Sequence, residues 1–194
     1  MKTNVRIFAI LCGLLVVGSL KTEAMVTEMG ISYSYKKSTF DEYNKIETQS
    51  STASVSFYIW ERVALELSYT NGLYTKNEKQ PNLLGATLRT TTQYTDIYGA
   101  DLILVLADRN AVIQPFIKAG GAQVNRRQVV QDDNSGNPWE IKYSGISPSY
   151  GAGIKFAISQ TFSIRASYDI IQTPVDDNTK VEELSGRIGL SWAL

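Results

Sequence analysis

Phe162-Ser163-Ile164-Arg165-Ala166-Ser167-Tyr168-Asp169 alternates without a break. Phe162, Ile164, Ala166 and Tyr168 take one parity, and Ser163, Arg165, Ser167 and Asp169 take the other. Successive side chains of a strand point to opposite faces, so this stretch reads as a strand with one apolar and one polar face. The polar parity is made of small or charged residues. That suits a narrow polar interior better than a solvated exterior.

The same pattern recurs along the chain. At 25–36, Met29, Ile31, Tyr33 and Tyr35 alternate with Glu28, Gly30, Ser32 and Ser34. At 62–71, Val63, Leu65, Leu67 and Tyr69 oppose Ala64, Glu66, Ser68 and Thr70. Further strands are predicted over 51–60, 91–106, 111–128, 141–157 and 182–194, which with 161–170 makes eight. Trp60-Glu61-Arg62, Ala107–Asn110 and Ile158–Gln160 are tight links. Between them fall long polar stretches at 37–50, 71–90, 129–140 and 171–181, read as loops. Short and long links alternate strictly, as in a barrel with short turns at one end and long loops at the other. The predicted fold is all-β: an eight-stranded antiparallel up-and-down transmembrane β-barrel.

Residues 1–24 read as a secretory signal peptide, leaving 25–194 as the barrel domain. Lys2 and Arg6 precede the apolar run Ile7–Leu20, and Thr22-Glu23-Ala24 offers small residues for cleavage. That run is short for a spanning helix, although a retained anchor is the alternative. Removal of the signal leaves 16 basic and 18 acidic side chains and no cysteine, since Cys12 is the only one. A slightly acidic chain has no general attraction for nucleic acid.

Histidine is absent. The usual general base for activating a serine is therefore missing, and no enzyme is expected. Gly151-Ala152-Gly153 lacks the third glycine and the following helix of a nucleotide loop. Asp132–Asn137 resembles part of a calcium loop, but no glutamate closes the ligand set, so it reads as a turn. No cofactor or metal is expected.

Two sets of residues carry expectations. Tyr33, Tyr35, Tyr69, Tyr98 and Tyr168 lie on the apolar parity near the long-loop ends, and Phe57, Phe156, Phe162 and Trp192 near the short-turn ends. These are expected to form two interfacial girdles. Glu28, Glu66, Asp101, Lys118, Arg165 and Arg187 fall on the inward parity, within a few residues of the short-turn ends. Counted that way they share one band, with Lys155 lower and Asp169 higher. Buried charges must pair. The band is therefore expected to plug the lumen with ion pairs, or to gate a small pore. Pro115 suits a rim. Pro148 fits only if its strand projects past a neighbour or bulges.

Pro115-Phe116-Ile117-Lys118-Ala119-Gly120-Gly121, Tyr150-Gly151-Ala152-Gly153-Ile154-Lys155-Phe156 and the eight-strand layout together resemble the OmpA-, OmpX- and OmpW-like small outer-membrane β-barrels. The resemblance covers 25–194. It implies a monomer in the cell outer membrane, with membrane lipid and the barrel-assembly machinery as partners. It also implies a structural or surface-interaction role through the long loops. A narrow pore, a path for small apolar molecules and a lipid-modifying enzyme are the alternatives. Members usually end in an aromatic residue, whereas here Trp192 precedes Ala193-Leu194.

Overall fold

The computed structural model describes residues 26–41, 43–82, 85–132, 138–176 and 179–194. The expected signal at 1–24 and most of the Asp132–Asn137 turn lie outside the described residues. The strands are β1 (Thr27–Thr39), β2 (Lys45–Trp60), β3 (Val63–Asn82), β4 (Gly85–Val105), β5 (Ile113–Asp132), β6 (Trp139–Ala157), β7 (Phe162–Asp176) and β8 (Thr179–Ala193). Each pairs antiparallel with its sequence neighbours, and β8 pairs with β1 to close the ring. Closure satisfies every backbone group in the pairing zone, which hydrocarbon demands.

The parity predicted from the sequence governs the observed burial. Leu104, Ile117, Ile154, Ile164 and Leu190 are exposed on the outside, with Leu65 partly covered on the same face. Glu66, Asp101, Lys118, Asp169 and Arg187 are buried within. Leu104→Arg places a charge on the lipid face. It is expected to cost about 2–4 kcal/mol near the midplane, measured by unfolding from bilayers. Unchanged stability would mean that Leu104 does not face lipid.

The pairing register defines the stagger. Followed across the ladders, Glu28 leads through Ser56, Glu66, Asp101, Gly120, Ser149 and Ile171 to Glu183 on β8. Yet Glu28 itself pairs with Ala193, ten residues beyond Glu183. A stagger of that size in eight strands tilts them by roughly 40°. The row therefore climbs from the short-turn end at Glu28 to the far end at Glu183.

The long links differ from the loops that their sequence suggests. Pairing continues to Thr39↔Lys45, Asn82↔Gly85, Val130↔Trp139 and Asp176↔Thr179. Most of 37–50, 71–90, 129–140 and 171–181 is thus strand. Beyond the membrane both faces meet water, so alternation fades, while Thr, Tyr and Val still favour extended pairing. The tips are short. In the first, Asp41 Oδ1 accepts from the backbone N–H of Tyr43 at 2.8 Å and of Asn44 at 2.7 Å. The Asn44 side-chain amide donates to Oδ2 at 2.6 Å.

These hydrogen bonds, that from the Asn44 side chain foremost, hold the Asp41 carboxyl below its ordinary value. A lowered carboxyl gives its full support to the turn above the unfolded pKa. That support is lost as pH falls through the lower folded value. Acid titration followed by the Asn44 amide signals is expected to show a midpoint below that of an ordinary aspartate. A midpoint at or above it would refute the turn.

Two seams open in the hairpin-tip half. β6 pairs with β7 only as far as Ser149↔Ile171; beyond it Trp139–Pro148 pairs with β5 alone, and the rest of β7 with β8 alone. Pro148 stands one residue beyond that ladder, where β6 and β7 part and β6 keeps only its β5 neighbour. β1 pairs with β8 only over Glu28–Tyr33. Pro115 sits near the opposite rim, its carbonyl accepting from the Leu106 N–H at 2.8 Å.

Candidate functional site

Glu66 on β3 and Asp101 on β4 are direct cross-strand partners, which sets two buried carboxylates side by side. Like charges in that position repel. Lys118 on β5 resolves the conflict. Its Nζ lies 3.5 Å from Glu66 Oε1, 3.6 Å from Asp101 Oδ2 and 2.8 Å from Asp169 Oδ1. Arg165 on β7 grips Glu66 from the other side, with Nη2 donating to Oε1 at 3.3 Å and Nη1 to Oε2. Arg187 on β8 lies 3.5 Å from Asp169. Ser56 donates to Glu66 at 3.3 Å, Ser167 to Asp169 at 3.2 Å, and Ser149 to Asp101.

One glycine makes the Lys118–Asp169 contact possible. Lys118, Gly151 and Asp169 occupy a single pairing row across β5, β6 and β7. A Cβ at Gly151 would sit 2.6 Å from Asp169 Oδ1 and 3.2 Å from Lys118 Cε. The missing side chain leaves the space in which the two charges meet.

Glu28 belongs to a separate pair nearer the short-turn end. Lys155 Nζ donates to Glu28 Oε2 at 2.8 Å and to the Tyr58 hydroxyl oxygen at 3.1 Å. Tyr58 donates to the same carboxylate at 3.0 Å. Taken together, Glu28, Glu66, Asp101 and Asp169 balance Lys118, Lys155, Arg165 and Arg187, and the lumen is neutral at this level. Toward the short turns an apolar floor follows, formed by Phe116 with Ala64, Ile103 and Val105 and flanked by Tyr58. The Arg165 guanidinium lies 4.5 Å from the Phe116 ring centroid, a cation–π contact. A Cβ at Gly153 would sit 2.4 Å from Phe116 Cζ, so this glycine gives the ring its place. The cavities beside Lys118 are about 20 Å³ each, room for a water molecule and little more.

The residues expected in one band thus divide. Glu66, Asp101, Lys118 and Arg165 meet directly. Arg187 reaches Asp169 rather than Glu66 or Asp101, and Glu28 stands apart with Lys155. Asp169, expected above the band, meets Lys118 within it, because counting residues from the turns ignores the stagger, whereas Lys155 lies nearer the short-turn end with Glu28. Phe116, Tyr58, Ser56 and Ser149 were missed as well, although all share the inward parity. Phe116 opposite Gly153 was the readable signal, a large inward residue facing an inward glycine. Among the described residues no group of His, Cys, Asp or Glu could hold a metal ion.

The aromatic residues stand on the outer face. Tyr33, Tyr35, Tyr98 and Tyr168 are about half exposed, and Tyr69 and Tyr98 are paired with ring centroids 5.1 Å apart. Their hydroxyls reach toward polar residues. Tyr35 donates to Glu47 at 2.9 Å and Tyr69 to Asp96 at 2.7 Å. Phe57, Phe156, Phe162 and Trp192 occupy the same face near the short turns, with Phe162 opposite Trp192 across the β7–β8 ladder.

An outward aliphatic belt between aromatic rows, around a closed eight-strand ring, is membrane-barrel architecture. The model of the outer membrane protein beta-barrel domain family matches residues 10–192. The chain belongs to that family. It is an outer-membrane β-barrel protein of the cell outer membrane. Solved barrels agree with the fold of this family member. The N-terminal β-barrel domain of Pseudomonas aeruginosa OprF is 16% identical, with 87% of this chain and 96% of that one covered and a TM-score of 0.54. Ail, the attachment invasion locus protein of Yersinia pestis, is 14% identical, with 88% and 99% covered and a TM-score of 0.54. Neisserial surface protein A is 15% identical, with 87% and 96% covered and a TM-score of 0.54. No curated protein matches the chain.

Proposed function

We propose that this outer-membrane barrel is a non-enzymatic protein with a closed lumen, and that its role is structural or surface-interactive. In this reading the long hairpins face away from the cell. Membrane lipid surrounds the barrel, which acts as a monomer with no cofactor. The assembly machinery is its partner only during folding. The observation that carries the reading is the lumen itself. A neutral ion-pair network and the Phe116 floor leave cavities of about 20 Å³, too small for a solute. The lack of histidine supports the non-enzymatic part.

A narrow pore is the second reading, and one observation favours it. Lys118 stands within 3.6 Å of three carboxylates, so partner exchange needs only small side-chain movements. Liposome swelling separates the two. Vesicles containing the refolded barrel are expected to swell no faster in small sugars than protein-free vesicles. Swelling that depends on the protein would overturn the closed-lumen reading.

A further inference from the structure

Above the plug the inward faces of β3, β4, β5 and β6 form a concave wall around a cavity of about 530 Å³. Its size falls within the range of small-molecule sites. One pairing row across these strands carries Tyr74, Gln93, Gln128 and Ile141. The next row toward the hairpin tips carries Lys76, Thr91, Val130 and Trp139. Tyr74 and Lys76 on β3 and Ile141 and Trp139 on β6 therefore flank a central strip of two amides, a hydroxyl and Val130.

The charges of this mouth are already engaged. Lys76 pairs with Glu78, and Arg89 grips Asp132 with contacts of 2.7 and 3.3 Å. Arg126, one row below, pairs with Glu183. An anion would have to displace a carboxylate from each cation. The amides are differently placed. Gln93 and Gln128 are direct cross-strand partners, and Gln93 donates a long 3.4 Å bond to Thr95. Gln128 has no side-chain hydrogen bond among the described residues. Each amide offers both donors and an acceptor. Trp139 is 41% exposed while the Arg89 guanidinium lies 5.4 Å from its ring centroid.

We infer that this mouth binds a neutral saccharide. Hydroxyl groups both donate and accept, which matches paired amides. The C–H face of a pyranose stacks on an aromatic ring, which matches Trp139 and Tyr74. A neutral ligand also leaves the ion pairs intact. The inference deepens the surface-interaction reading and rests on it, but it is tested separately, because swelling reports the lumen and binding reports the mouth.

The test uses the refolded full barrel in phospholipid nanodiscs, free of glycoside detergents. The probes are methyl glucoside, methyl galactoside, methyl mannoside, N-acetylglucosamine, maltose and lactose, with glucose 6-sulfate as the anionic comparison. Binding is read by saturation-transfer NMR and by tryptophan fluorescence. At least one neutral sugar is expected to bind with a Kd of roughly 1 mM or tighter. The Gln93→Ala/Gln128→Ala double variant is expected to weaken that binding by about tenfold or more, because the hydroxyls lose their partners. Trp139→Phe should abolish the fluorescence response while keeping weakened binding. Gln128→Glu, nearly the same size, provides a second check should the double variant fail to fold, as judged by heat-modifiable migration, and should also weaken binding. No binding by any neutral sugar at about 50 mM would overturn the inference. So would salt-sensitive preference for the sulfated sugar, or neutral-sugar binding unchanged by these variants.

Discussion

Lys118→Met is expected to destabilise the folded barrel by about 3–5 kcal/mol, the usual cost of breaking a buried ion pair from one side. Methionine keeps most of the volume, so the loss is electrostatic. Glu66 would retain Arg165, and Asp169 would retain Arg187. Asp101 would retain only its serine partner, because Lys118 is the one cation within salt-bridge distance of it among the described residues. Denaturant unfolding from lipid vesicles gives the stability. The Lys118→Met/Asp101→Asn double variant should recover part of the loss, since it removes the stranded charge. Lys118→Met as stable as wild type would show that water already solvates this site.

Phe116→Ala is expected to cost a similar amount, about 3–5 kcal/mol, through lost burial and the cavity left behind. Phe116 is 4% exposed and fills the floor against Ala64, Ile103 and Val105. Gly153 has no side chain with which to refill the space, and a Cβ there would also meet the Ala166 carbonyl oxygen at 2.5 Å. Arg165 would lose its ring contact as well. The same unfolding assay measures this. A loss below about 1 kcal/mol would mean that the floor collapses around the gap or is already hydrated.

Parity was legible in the sequence because a membrane barrel writes it on every strand. Leu104 outward and Asp101 inward follow from alternation alone. Height was not legible. Glu28, Glu66 and Asp101 lie in one pairing row, but tilt raises each successive strand, so Glu28 meets Lys155 while Asp101 meets Lys118. The stagger that sets these levels depends on the β1–β8 register, a contact between the chain's two ends that no local pattern announces. Strand length was hidden for a related reason. Residues such as Lys76, Asn77 and Arg89 pair in the ladder, yet with water available on both sides they read as loop. The Lys118–Asp169 contact needed one more fact, that the residue between them in the row is Gly151.

Single-protein conductance in planar bilayers bears most directly on the closed lumen. The wild-type barrel is expected to give no resolved channel openings across neutral and mildly acidic pH. Lys118→Met and Phe116→Ala, if they still insert, are expected to leak, because each removes part of the seal. Wild-type openings in bursts whose frequency changes with pH would contradict the plug and establish the network around Lys118 as a gate.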